Sequence, residues 1–153
     1  MRYRHFVFAA CSVLIVLTLG CYQISYRFAP SRMFPSRVGN YKLVTYRQVS
    51  QDLTKELPRY RGEYLAPDGS QVEINTFVFY NASSANARID YDKLELHVEE
   101  PVHDPDYSMQ GNKILMVFKD FSELTWAHEN WYVQATAHDR PTVEQFVDNL
   151  SYK

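Results

Sequence analysis

Apolar positions recur along this chain with two different periods, and each period predicts a different element. Tyr41-Lys42-Leu43-Val44-Thr45-Tyr46-Arg47 is dense in β-branched and aromatic side chains and predicts a first strand. Tyr60 to Leu65 and Gln71 to Tyr80 flank Ala66-Pro67-Asp68-Gly69-Ser70, whose Pro-Asp-Gly core is a turn signal, so these segments predict a hairpin. From Asn112 to Lys119, Ile114, Met116 and Phe118 alternate with Leu115 and Val117. A strand apolar on both faces is expected in the middle of a sheet covered on both sides. Leu124 to Ala127 and Trp131 to Ala137, around His128-Glu129-Asn130, predict a second hairpin.

Helical spacing appears twice. Ala85, Ile89 and Leu96, with Tyr91, Leu94 and Val98, fit a helix, yet Leu94, Leu96 and Val98 also alternate as in a strand. A helix is expected from about Ser83 to Asp92, with a serine hydroxyl near its start to cap free amides. Near the C-terminus Val143, Phe146, Val147 and Leu150 stand at i, i+3, i+4 and i+7, and Thr142 with Gln145 has the spacing of a capping box. Gln48 to Pro58 and Glu99 to Gly111 read as polar connections, and Tyr22 to Asn40, broken by Pro30, Pro35 and Gly39, reads as a tether. The predicted class is α+β, a mainly antiparallel sheet of about five to six strands packed by one or two helices.

The first residues predict location. Arg2, Arg4 and His5 precede a run from Phe6 to Ile24 without Asp, Glu, Lys or Arg, an export or anchor signal. Leu17-Thr18-Leu19-Gly20-Cys21 resembles the lipobox of bacterial lipoproteins, with Thr18 where that pattern usually has Leu. The resemblance implies cleavage before Cys21, acylation of Cys21, and a domain held at the extracytoplasmic face of a membrane, periplasmic or outer. The division expected is 1–21 as signal or anchor, 22–40 as tether and 41–153 as one domain. An uncleaved helix competes, since nineteen residues at about 1.5 Å each nearly span a hydrocarbon core of about 30 Å. An ordinary secretory signal competes less well, because Ala9-Ala10-Cys11 falls too early in the run.

Composition narrows the chemistry. The 153 residues are 46% hydrophobic and 22% charged, with 12 Tyr and 9 Phe, enough for one core. Without Arg2 and Arg4 the chain carries 14 basic and 18 acidic residues, a formal charge of −4, which disfavours nucleic acid. Cys11 and Cys21 are the two cysteines, and both lie in the apolar run, so the domain has neither disulfide nor thiol chemistry.

Three candidate sites remain. His97, His103, Asp104 and Asp106, with Glu99 and Glu100, are potential metal ligands or the acid and base of a small hydrolase, against the reading of a solvated acidic loop. No metal or cofactor motif fixes their geometry, so no cofactor is expected. His128-Glu129 and His138-Asp139 pair a base with a carboxylate, but neighbours on a strand are expected to point apart. Trp126, Trp131 and Tyr132 form a possible partner-binding platform, against the reading of core packing.

The order of elements, ending in Trp126, Trp131-Tyr132-Val133 and the closing helix, resembles small α/β/α sandwich domains of exported lipoproteins and of PsbP-type lumenal proteins. It implies a noncatalytic binding or assembly module, without residue roles. The leading expectation is a membrane-tethered accessory lipoprotein with a protein or cell-envelope partner. A single-pass anchored subunit of a membrane complex is the alternative, and a hydrolase using the histidine and acid loop is the second.

Overall fold

Residues 32–49, 58–98 and 106–152 are described by the computed structural model, and Phe34–Lys153 forms one compact unit. Within these residues the strands are β1 (Arg37–Val38), β2 (Tyr41–Gln48), β3 (Arg59–Leu65), β4 (Gln71–Val78), β5 (Asp106–Gln110), β6 (Lys113–Val117), β7 (Ser122–His128) and β8 (Trp131–Ala137). Helix α1 (Ala82–Val98) follows β4, and helix α2 (Arg140–Asp148) follows β8. All pairings are antiparallel, in the order β1-β2-β3-β4-β8-β7-β6-β5. Two meanders, β1 to β4 and β5 to β8, thus join through β4 and β8, from Val72↔Ala137 to Val78↔Trp131.

This topology dictates what covers each face. From β4 to β5 at the far edge is four strand spacings, about 19 Å at about 4.8 Å each. Helix α1, 17 residues long, reaches about 26 Å at about 1.5 Å per residue and crosses that gap over the second meander. It packs on β7 and β8, where Ala85 and Ile89 are buried in a cluster with Ile114, Ala127 and Tyr132. Helix α2 leaves β8 directly and packs on β7, β8 and β4 from the opposite face. There Phe146 meets Tyr41 and Tyr64 edge-on, with ring centroids 5.1 and 4.9 Å apart. Tyr132 and Val133 are neighbours on one strand, so their side chains necessarily serve opposite layers.

Several expectations need correction. The α+β class with about five to six strands is overturned by an open, mainly antiparallel sheet of eight strands with two helices among the described residues. The two unforeseen strands are β1 and β5, the two ends of the sheet order. An edge strand pairs on one side only and needs no apolar alternation, so Arg37–Val38 read as tether and Asp-Tyr-Ser-Met-Gln as loop. Strand β6 lies next to that edge rather than centrally, although Ile114 and Leu115 are both buried. Helix α1 runs to Val98, past Asp92, and Asn81 caps it: its Oδ1 accepts from the Ser84 amide at 2.8 Å and the Ser84 hydroxyl at 3.0 Å. Helix α2 is capped by Asp139 and not by Thr142, which is buried inside the helix. The signal or anchor segment 1–21 lies outside the described residues, among which no helix is long and apolar enough to cross a membrane.

Candidate polar face of the first meander

Because α1 crosses the second meander, no described helix packs on the same face of the sheet over β2, β3 and β4. Register arranges the side chains of this face in rows running across the strands. One row is Arg47, Arg61, Asn75, Gln134, Thr125 and Ile114, and the next is Thr45, Glu63, Glu73, Thr136, Glu123 and Met116. A third begins at Arg59 and continues through Phe77, Tyr132 and Ala127. Each row ends apolar under α1 and polar over the first meander. The alternation that puts Tyr60, Tyr64, Val72 and Ile74 into the core on the other face thus turns Arg59, Arg61, Glu73 and Asn75 outward.

Two cations on this face, Arg59 and Arg61, are held in place. Asn75 Oδ1 accepts from Arg59 Nη2 and from Arg61 Nε, each at 3.2 Å, while Asn75 Nδ2 donates to Glu73 Oε1 at 2.7 Å. Arg61 Nε also lies 3.3 Å from Glu73 Oε1. The Arg59 guanidinium sits over the Phe77 ring, 5.0 Å from its centroid, and its buried Nε has no hydrogen-bond partner. Two guanidinium groups therefore converge on one neutral amide oxygen, and Arg47 stands directly opposite Arg61, a like-charge pairing that opposes sheet formation.

Where the polar rows pass under α1 they become a buried network. Tyr132 donates to Asp92 Oδ2 at 2.7 Å, and Arg88 Nε pairs with Asp92 Oδ1 at 2.9 Å. Glu123 Oε1 accepts from Thr125 Oγ1 and Gln134 Nε2, both at 3.1 Å. Burial raises the Glu123 pKa above the ordinary carboxylate range, against hydrogen bonds from Thr125, Thr136 and Gln134 that lower it. Burial likewise pushes the Tyr132 phenol well up, and its bond to Asp92 adds to the shift.

The residues singled out in the sequence are dispersed. Trp126 is 0% exposed, Trp131 5% and Tyr132 7%, so they are packing residues and offer no open platform. Trp126 and Trp131 lie against Tyr152 in the layer of α2, whereas Tyr132 faces α1. Of the histidine and acid loop, His103 and Asp104 lie outside the described residues, as does the His97 side chain, and Asp106 opens β5 at the surface. Among the described residues no three His, Cys, Asp or Glu side chains are grouped to hold a metal. His138 does contact its neighbour, Nε2 to Asp139 Oδ2, contrary to the expectation from strand alternation. The chain has left the strand at Ala137 to enter the helix cap, so the pleat no longer separates successive side chains.

The polar face itself was readable in part. Arg59, Arg61 and Glu63 alternate with Tyr60, Gly62 and Tyr64, and Glu73 and Asn75 alternate with Val72, Ile74 and Thr76. That period of two separates a polar side from an apolar one, but the pairing that brings Arg47 beside Arg61 depends on register and a β-bulge between Leu43 and Thr45.

No protein-family model matches the chain, and no curated protein matches it. Among solved structures the chain is similar to a GTP binding regulator from Thermotoga maritima, with a TM-score of 0.52 and 17% identity over 80% of this chain and 82% of that one. At that identity the likeness bears on the fold alone.

Proposed function

We propose that this chain is a noncatalytic binding module, tethered by acylated Cys21 at the extracytoplasmic face of a membrane, that engages a partner through the polar face of β2, β3 and β4. The observation that carries the reading is the division of one sheet face, covered beneath α1 and set with fixed charged side chains over the first meander. Half-buried, pre-positioned guanidinium groups suit recognition, since little side-chain entropy remains to be lost on binding. The leader supports the location through its lipobox-like end, and a lipid-anchored protein needs no membrane-spanning helix. The likeness to a GTP binding regulator is not carried over as nucleotide binding: the five glycines, at 20, 39, 62, 69 and 111, leave no G-x-x-x-x-G-K phosphate loop.

Two measurements test the proposal. Labelled palmitate is expected on the intact chain in membranes and absent from Cys21→Ser. A photo-crosslinking amino acid replacing exposed Thr45 is expected to yield one discrete adduct in cells, with none from the same replacement at Asn86 on the outer side of α1. Labelling that persists in Cys21→Ser, or equal adducts from both positions, sinks the reading.

A further inference from the structure

Resting on that reading, we infer that the cationic end of this face, formed by Arg47, Arg59 and Arg61, receives one carboxylate from an acidic segment of a partner protein. The three guanidinium groups belong to adjacent strands and to one face, two of them brought together on a single amide oxygen. Glu73 is shared between Arg61 and Asn75, and neither Arg59 nor Arg47 has a carboxylate partner among the described ion pairs. Arg47 is exposed, and a carboxylate is the group whose two oxygens accept in parallel from a guanidinium fork.

The charge count favours a carboxylate over a phosphate. Arg47, Arg59, Arg61, Glu63 and Glu73 sum to a formal charge of +1, which one monoanion neutralises. A dianion overshoots that balance and meets the acidic row of Glu63 and Glu73 one step along the strands. The same acids, with the overall negative charge of the chain, oppose a dense anionic lipid surface. Stacking on Phe77 and the bond to Asn75 keep Arg59 extended along the sheet, so the acceptor site exists before the partner arrives.

The test uses the full chain in detergent and a fluorescent, end-blocked peptide bearing several Asp and Glu residues, followed by anisotropy. Binding is expected, with at least tenfold weaker binding of the same peptide carrying Asn and Gln. Arg47→Glu and Arg59→Gln are each expected to weaken the acidic peptide at least tenfold, while Arg140→Gln on α2 leaves it unchanged. Arg47 is exposed, so Arg47→Glu carries the test even where Arg59→Gln disturbs folding, which circular dichroism reports. Acetate is expected to compete better than inorganic phosphate at equal concentration. The assignment is overturned by equal affinity for both peptides, by undiminished binding in Arg47→Glu, by stronger competition from phosphate, or by tighter binding to phosphatidylglycerol vesicles than to the peptide. A Thr45 adduct that survives Arg47→Glu leaves the binding-module reading standing and removes the carboxylate, whereas loss of the adduct from the otherwise unchanged chain removes the reading itself.

Discussion

A Cβ placed on Gly62 would stand 2.3 Å from Cδ1 and 2.6 Å from Cε1 of Phe34, closer than any real side-chain contact. The glycine in the middle of β3 is thus what lets the Phe34 ring lie on the sheet, 5.8 Å from and nearly parallel to Tyr46. Gly62→Ala is expected to destabilise by about 1–3 kcal/mol through overpacking, and Phe34→Ala by about 3–5 kcal/mol. The two changes relieve one another, so the double variant should lose less than their sum in urea unfolding, and strict additivity would disprove the contact. Glu123 makes a second case. Its pKa is raised by burial in the folded state, so its contribution to stability is fully present below the unfolded value and fades as pH rises through the folded one. Glu123→Gln keeps an acceptor for Thr125 and removes the charge, and it is expected to gain stability relative to the unaltered chain at pH 7 and not at pH 4. A constant difference across that range would show that Glu123 is not the group responsible.

At the scale of elements, α2 shows how a small local group fixes a boundary. Asp139 holds extended backbone (φ −146°, ψ 164°), its carboxylate accepts the Thr142 amide at 2.8 Å, and Pro141 follows in the first turn. Replacing Asp139 with Ala should cost about 1 kcal/mol. The Thr142 amide, and less strongly His138, lowers the Asp139 pKa, so this contribution is present at neutral pH and disappears as pH falls through the depressed value. Thermal melts of Asp139→Ala and the unaltered chain should therefore converge in strong acid. The apolar stripe of α2 was plain in the sequence because Val143, Phe146, Val147 and Leu150 are all buried in a single layer. The cap was not, because Thr142 with Gln145 imitates a capping box two residues inside the true start. The inner hairpins were legible from Pro-Asp-Gly and from the alternation around His128-Glu129-Asn130, since local turns fix their registers. The pairing of β4 with β8, from 53 to 65 residues apart in sequence, carries no local signal, and the Arg47–Arg61 neighbourhood that follows from register was hidden for the same reason.

For the whole molecule, the two helices grip the sheet unequally. Helix α2 drives Val143, Phe146 and Val147 into the layer it shares with Tyr41, Tyr64 and Trp126, whereas among the described side chains of α1 the buried apolar ones are Ala85 and Ile89. Polar contacts also tie α1 down: Tyr132 donates to Asp92, and Lys93 donates to the Gly111 carbonyl at 3.3 Å. Its outer side leaves Tyr91 51% and Leu94 63% exposed. A helix with few apolar anchors opens at a lower free energy than the sheet beneath it. Native-state hydrogen exchange is therefore expected to show α1 amides exchanging in a separate, earlier step than those of β4, β8 and α2. Ile89→Ala removes the larger of the two anchors among the described side chains, at a cost of about 2–5 kcal/mol for a buried aliphatic truncation. It should speed exchange in α1 strongly while the paired core of β4 and β8 still exchanges only on global unfolding. The molecule is a sheet clamped firmly on one side and loosely on the other if those two steps separate, and it is one cooperative unit if α1 and β8 lose protection together.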